Sequence, residues 1–199
     1  LLSMNDVEEA VIPAQISIIS NESFLRNKKL KSIKFEANLE LKIIGAEAFI
    51  RAYIEDLSFP ASVEEIDNGS FLDNYKLKSV RFPSNSKLKK ISDRAFQSCD
   101  LESIFIPASV EYLETFFSYN DNLFKIEISP ENKFFKLLDG NYIVMESEHG
   151  SGVFDTILFC RRNVESIIIP SYIKVIKAYA FESCKQLKNI TFELNSSLE

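Results

Sequence analysis

Short bursts of alternating apolar and polar residues recur along the whole chain. In Lys78-Ser79-Val80-Arg81-Phe82, an extended backbone puts Val80 and Phe82 on one face and Ser79 and Arg81 on the other. Similar bursts centred near residues 11, 34, 58, 81, 105, 127, 168 and 191 predict eight short strands. A phenylalanine anchor precedes many of them at a fixed offset. From the anchor, steps of six, three and two residues lead to further apolar positions: Phe24, Leu30, Ile33, Phe35; Phe71, Leu77, Val80, Phe82; Phe181, Leu187, Ile190, Phe192. This is an internal repeat. Segments 57–66, 104–113 and 167–176 align with every apolar position matched, and 10–19 is a weaker copy.

The repeat comes in a short and a long form. The long form carries an asparagine and extra residues before its leucine, as at Asn38, Asn85 and Asn195. Anchors Phe24, Phe49, Phe71, Phe96 and Phe117 are therefore spaced by 25, 22, 25 and 21 residues. The repeats around Phe49 and around Phe116-Phe117 depart from the pattern. One repeat cannot bury its apolar face alone, so stacking is required. Parallel strands about 4.8 Å apart would form a continuous sheet about 34 Å long, with Val63, Ile66 and the anchor phenylalanines returning through turns or single helical turns. Pro60, Pro83, Pro107, Pro130 and Pro170 fall where strands end, because proline cannot donate to a ladder.

These residues resemble the BspA-like branch of the leucine-rich repeats, whose pattern is roughly I-P-x-S-V-x-x-I-x-x-x-A-F-x-x-C-x-x-L-x-x-I. Ile169-Pro170-Ser171-Tyr172-Ile173 running through Ala180-Phe181-Glu182-Ser183-Cys184 to Leu187 and Ile190 follows it, and Ala95-Phe96-Gln97-Ser98-Cys99 repeats its centre. The resemblance implies a strand-rich, α/β-type, right-handed leucine-rich repeat solenoid. It also implies a cell-surface or secreted protein that adheres to host proteins, matrix or cells. An intracellular scaffold for protein partners is the alternative reading of the same repeats.

Residues 1–199 read as one solenoid, with an insertion at 131–166. Pro130 to Pro170 spans 40 residues, about 17 more than an ordinary interval. Within it, Asp139-Gly140 and Gly150-Ser151-Gly152 are turn signals between apolar runs, which predicts a hairpin ending in a strand over 154–160. Its tip would hold Glu146, Glu148 and His149. It serves either as a structural spacer or as a binding finger. A long-form repeat begins at Phe192, so the array is expected to continue past Glu199, and an open end would favour end-to-end self-association.

Composition narrows the chemistry. The formal net charge of -6 disfavours nucleic acid and anionic membranes as partners. No apolar run approaches the roughly 18 residues of a membrane span, so direct membrane insertion of this segment is not expected. His149, the only histidine, has no ligand-spaced companion, and no phosphate-binding glycine motif occurs, so the chain predicts no catalytic, cofactor or metal site. Cys99 and Cys184 share a repeat position several turns apart and read as small buried packing residues. Cys160 reads as unpaired. Asn21, Asn68, Asn189 and Asn195 begin Asn-x-Ser/Thr triplets, which are glycan acceptors only in a secretory pathway that uses that signal.

Strand alternation gives one outward column of Lys34, Ser58, Arg81, Phe105, Glu127, Ile168 and Thr191. Phe105 and Ile168 are large apolar groups on an otherwise polar face. With Arg81, Lys125 and Glu127 as a charged rim, they form the candidate site for a protein partner. The competing expectation is that the inserted hairpin folds over them and makes them a satellite core.

Overall fold

The computed structural model describes residues 7–38, 40–114, 117–139, 142–146 and 152–198. The chain winds through seven turns, each carrying a longer strand and, after a bend, a second strand. The first five turns hold β1 (Glu9–Ile12) and β2 (Ile18–Ile19), β3 (Ser32–Phe35) and β4 (Ile43–Ile44), β5 (Asp56–Ser58) and β6 (Glu65–Ile66), β7 (Ser79–Arg81) and β8 (Lys90–Ile91), and β9 (Ser103–Ile106) and β10 (Tyr112–Leu113). The sixth begins at β11 (Lys125–Ile128) and passes through β12 (Phe135–Leu138), β13 (Tyr142–Glu146) and β14 (Phe154–Cys160). The seventh holds β15 (Ser166–Ile169) and β16 (Val175–Ile176), and β17 (Asn189–Phe192) opens the next.

Like strands of successive turns pair in parallel, so two columns of sheet run along the stack. The short second strands make one ladder from β2 to β10. The longer strands fall at all eight sequence-predicted centres, but their sheet is not continuous as expected. It divides into β1–β3, β5–β7–β9–β11 and β15–β17. At the first break, Phe49 to Leu57 is eight residues where Phe24 to Ile33 and Phe71 to Val80 are nine, and β5 is cut to three residues. At the second, the insertion intervenes.

The helical return path is also absent: no described residue is helical. Hydrogen bonding explains why. The Phe24 N–H donates to Ala48 O of the next turn at 2.8 Å, Phe49 to Ser70 O at 2.8 Å and Phe71 to Ala95 O at 2.9 Å, so these donors are engaged between turns and not along a helix. Residues such as Arg26, Arg51, Asp73 and Ser98 adopt φ of 55–59°, which stops helix propagation within one turn.

Phenylalanine rings stack down the interior. Centroids of Phe24 and Phe49 are 4.8 Å apart, Phe49 and Phe71 5.2 Å, Phe71 and Phe96 5.3 Å, and Phe96 and Phe117 6.2 Å. Phe159 continues the column, edge-on to Phe117 at 5.6 Å. Phe181, an anchor by its spacing, is only half-buried. Beside the rings runs a polar ladder. Asn74 Nδ2 donates to Phe49 O (2.7 Å) and Phe71 O (2.9 Å), and Asn120 Nδ2 to Phe96 O (2.7 Å) and Phe117 O (3.1 Å). Cys99 takes the same place and its thiol donates to Phe71 O at 3.3 Å, so this residue is a rung as well as packing.

Candidate functional site

The insertion starts from one buried side chain. Asn132 Nδ2 donates back to Pro107 O (2.8 Å) and Val110 O (2.9 Å), while its Oδ1 accepts the N–H groups of Phe134 (2.9 Å) and Phe135 (2.8 Å). This clamp turns the chain sharply after Pro130 and sends β12 back beside β11. β12 and β13 then pair antiparallel around Asp139, whose φ is 49°, and β13 pairs antiparallel with β14. Glu148 and His149, assigned above to the tip, lie outside the described residues, as does Gly140.

β14 is not simply the far arm of a hairpin. Thr156 and Ile157 pair in parallel with Val175 and Ile176 of β16, and Cys160 N–H donates to Ala180 O at 2.9 Å, the bond that anchor phenylalanines make in earlier turns. The strand therefore supplies the second strand of the sixth turn.

Between β11 and β12 lies an open groove of about 710 Å³, lined by Phe105, Ile126, Glu127, Ile128, Lys136 and Leu137 among others. Phe105, Ile128 and Leu137 are partly buried where they line it. In register, Phe105 stands opposite Glu127, and Ser79 opposite Ser103 carries Arg81 opposite Phe105 two residues on. Lys125 Nζ lies 3.1 Å from Glu127 Oε1, and Arg81 Nη2 lies 4.0 Å from Asp56 Oδ1. All four charged side chains are largely in water, so each pair contributes at most about 1 kcal/mol and is readily exchanged for a partner's charge.

Arg81, Phe105, Lys125 and Glu127 thus share one sheet. Ile168 does not join them: it is 61% exposed on β15, beyond the insertion, where Tyr142 Oη donates to its carbonyl at 3.0 Å. Nor does the insertion bury the patch. Its β12 forms one wall beside Phe105 and leaves the groove open, and Lys136 and Leu137 enter the site unforeseen.

A second opening of about 500 Å³ separates β10 from β14 on the other column, lined by Asp93, Tyr112, Glu114, Leu158 and Lys177 among others. There the Glu114 carboxylate, hydrogen-bonded to the Tyr112 phenol at 2.7 Å, raises the phenol's pKa. Among the described residues, no three histidine, cysteine, aspartate or glutamate side chains converge to hold a metal. The four asparagines that begin glycan triplets are all exposed.

Similarity to known proteins follows the same lines. A family model described as BspA type leucine rich repeat region matches residues 2–135 and 154–198 in six copies, leaving 136–153 between them unmatched. No curated protein is significantly similar in sequence. Among solved structures, the pneumococcal vaccine antigen PcpA superposes with a TM-score of 0.87 at 28% identity over 96% of this chain and 46% of its own. A leucine rich cell surface protein from Faecalibacterium prausnitzii gives 0.68 at 20% identity, over 94% of this chain and 61% of that one. A leucine-rich repeat protein from Eubacterium ventriosum gives 0.68 at 18%, over 95% and 56%. The last two identities speak to fold alone. The chain spans about half the length of these proteins.

Proposed function

The chain belongs to the BspA-type leucine-rich repeat family, and from that premise we propose that it is a non-catalytic protein-binding module of a cell-surface or secreted protein, binding through the groove between β11 and β12. One observation carries this reading: Phe105, Ile128 and Leu137, three large apolar side chains, are only partly buried where they line one open groove with Glu127 and Lys136, and Arg81 and Lys125 lie on the same sheet. An apolar centre with a charged rim is the composition of a protein interface, where desolvated aromatic groups supply most of the energy and rim charges set rate and orientation. The surface assignment is supported by likeness to a vaccine antigen. Ile168 contributes to a partner's contact only where that partner also reaches β15.

The test compares Phe105→Asp with Ser58→Asp, a change on the same column two strands away. Beads coated with each variant are scored for retention on epithelial monolayers and on decellularised matrix, with thermal melting as the folding control. Phe105→Asp is expected to weaken retention by on the order of 2 kcal/mol while Ser58→Asp does not. Equal retention by both variants and the parent overturns the groove as the binding face.

A further inference from the structure

Every asparagine or cysteine rung of the polar ladder reaches down to the anchor of the turn before it, as Cys99 does to Phe71 O (3.3 Å) and Asn120 to Phe96 O (2.7 Å). At the junction of the sixth and seventh turns the rung is Cys184, and the backbone position of the anchor below is taken by Cys160. Two sulfurs therefore meet where other turns bring a side chain to a phenylalanine. Cys160 Sγ lies 3.4 Å from Arg161 O and Cys184 Sγ 3.8 Å from the same oxygen, so both thiols converge on one acceptor. Neither is in a disulfide.

Arg162 supplies the second observation. It is 2% exposed, its guanidinium carbon lies 4.0 Å over the Phe159 ring, and its Nε and Nη2 have no hydrogen-bond partner. Its remaining Nη1 points to Cys184 Sγ at 3.6 Å. A guanidinium does not give up its proton, and a buried cation without an anion costs several kcal/mol. Among the described residues, the ionisable side chain that Arg162 hydrogen-bonds is the Cys184 thiol. Around it, Arg161 adds positive potential, the Asp121 carboxylate is paired with Lys185 and also feels Arg162, and Glu182 Oε2 is buried without a hydrogen-bond partner.

We propose that Cys184 and Cys160 form a thiol–disulfide exchange site, taking a low-molecular-weight disulfide as oxidant, with Cys184 beside Arg162 as nucleophile and Cys160 as resolving thiol. The Cys184 sulfur attacks one sulfur of R–S–S–R, and R–S⁻ leaves and takes up a proton. Cys160 then loses its proton and attacks Cys184 Sγ, releasing the second R–S⁻. The balance is two thiols and one external disulfide to one internal disulfide and two R–SH, with two electrons passing to the oxidant. The neighbouring Cys160 thiol, followed by the guanidinium of Arg162, holds the Cys184 thiol down to about 6, whereas proximity to Cys184 and burial push Cys160 up. Access comes through Cys184, 9% exposed against 0% for Cys160. The product would lock the seventh turn to the sixth.

The folded chain is incubated with oxidised glutathione at neutral pH, alkylated and digested with trypsin without reduction. The expected product is a peptide pair joined through Cys160 and Cys184, with Cys99 unmodified. Cys160→Ser should stop at a glutathione adduct on Cys184. Arg162→Leu should slow the reaction about tenfold or more and move the pH midpoint of Cys184 alkylation up toward that of a free thiol, roughly 8.5. Arg162→Lys, retaining the charge, should recover part of the rate. If Arg162→Leu does not fold, the alkylation profile of the parent decides. A parent midpoint near 8.5, absence of the joined pair, or Cys99 reacting as fast as Cys184 overturns the proposal.

Discussion

At the scale of single residues, the interior is a column of rings and a ladder of rungs, and the two respond differently to mutation. Phe71→Ala or Phe96→Ala removes a ring stacked between neighbours on both sides and should cost about 3–5 kcal/mol, read as a fall in denaturant midpoint. Phe181→Ala should cost clearly less, since that ring is only half-buried. Asn120→Ala leaves the carbonyls of Phe96 and Phe117 without the donor that now meets them, at about 1–3 kcal/mol, whereas Asn122→Ala, which loses only an exposed bond to Asp100, should be near neutral. The rings were legible because a phenylalanine every 21–25 residues is periodic. The rungs were not read, since nothing in a lone asparagine or cysteine says which carbonyl it will reach. Titration adds a residue-scale signature. Cys184 is depressed to about 6 in the folded chain against roughly 8.5 unfolded, so its contribution is complete above 8.5 and is lost as pH falls through 6. Cys184→Ser should flatten the melting temperature across that window.

At the scale of elements, the informative case is β14. Its sequence reads as the returning arm of a hairpin, and it is one, yet it also fills the second-strand place of the sixth turn and carries Phe159 into the ring column. Phe159→Ala should therefore destabilise the whole chain to a degree comparable with Phe96→Ala, and a single melting transition should shift. An unchanged melting temperature would mean that 131–166 hangs from the solenoid as a separate finger. The dual role escaped the repeat pattern because Cys160 holds the anchor's backbone bond while the ring comes from the residue before it. One clue was present: Cys160 and Cys184 are 24 residues apart, a single turn of the stack. The wall that Lys136 and Leu137 add to the groove had no such clue, since β12 has no counterpart in any other turn.

At the scale of the whole molecule, stacking makes each turn depend on its neighbours, and the insertion is where that regularity is interrupted on both columns. The interruption opens a groove with apolar side chains left partly in water, and a partner is the simplest occupant for such a surface. Its charges are paired only loosely, so association should slow as salt rises while affinity falls little, because rim charges act mainly on the rate of encounter. The central claim is that binding takes place at this groove and not on the opposite column. Amide hydrogen exchange of the chain, alone and with the extracellular protein it retains from matrix, tests this directly. The account predicts slowed exchange in peptides covering Ser103–Ile106, Lys125–Ile128 and Phe135–Leu138, with no change at Ile43–Ile44, Glu65–Ile66 or Lys90–Ile91. Protection confined to the short-strand column, with the groove peptides exchanging as they do in the free chain, would contradict it.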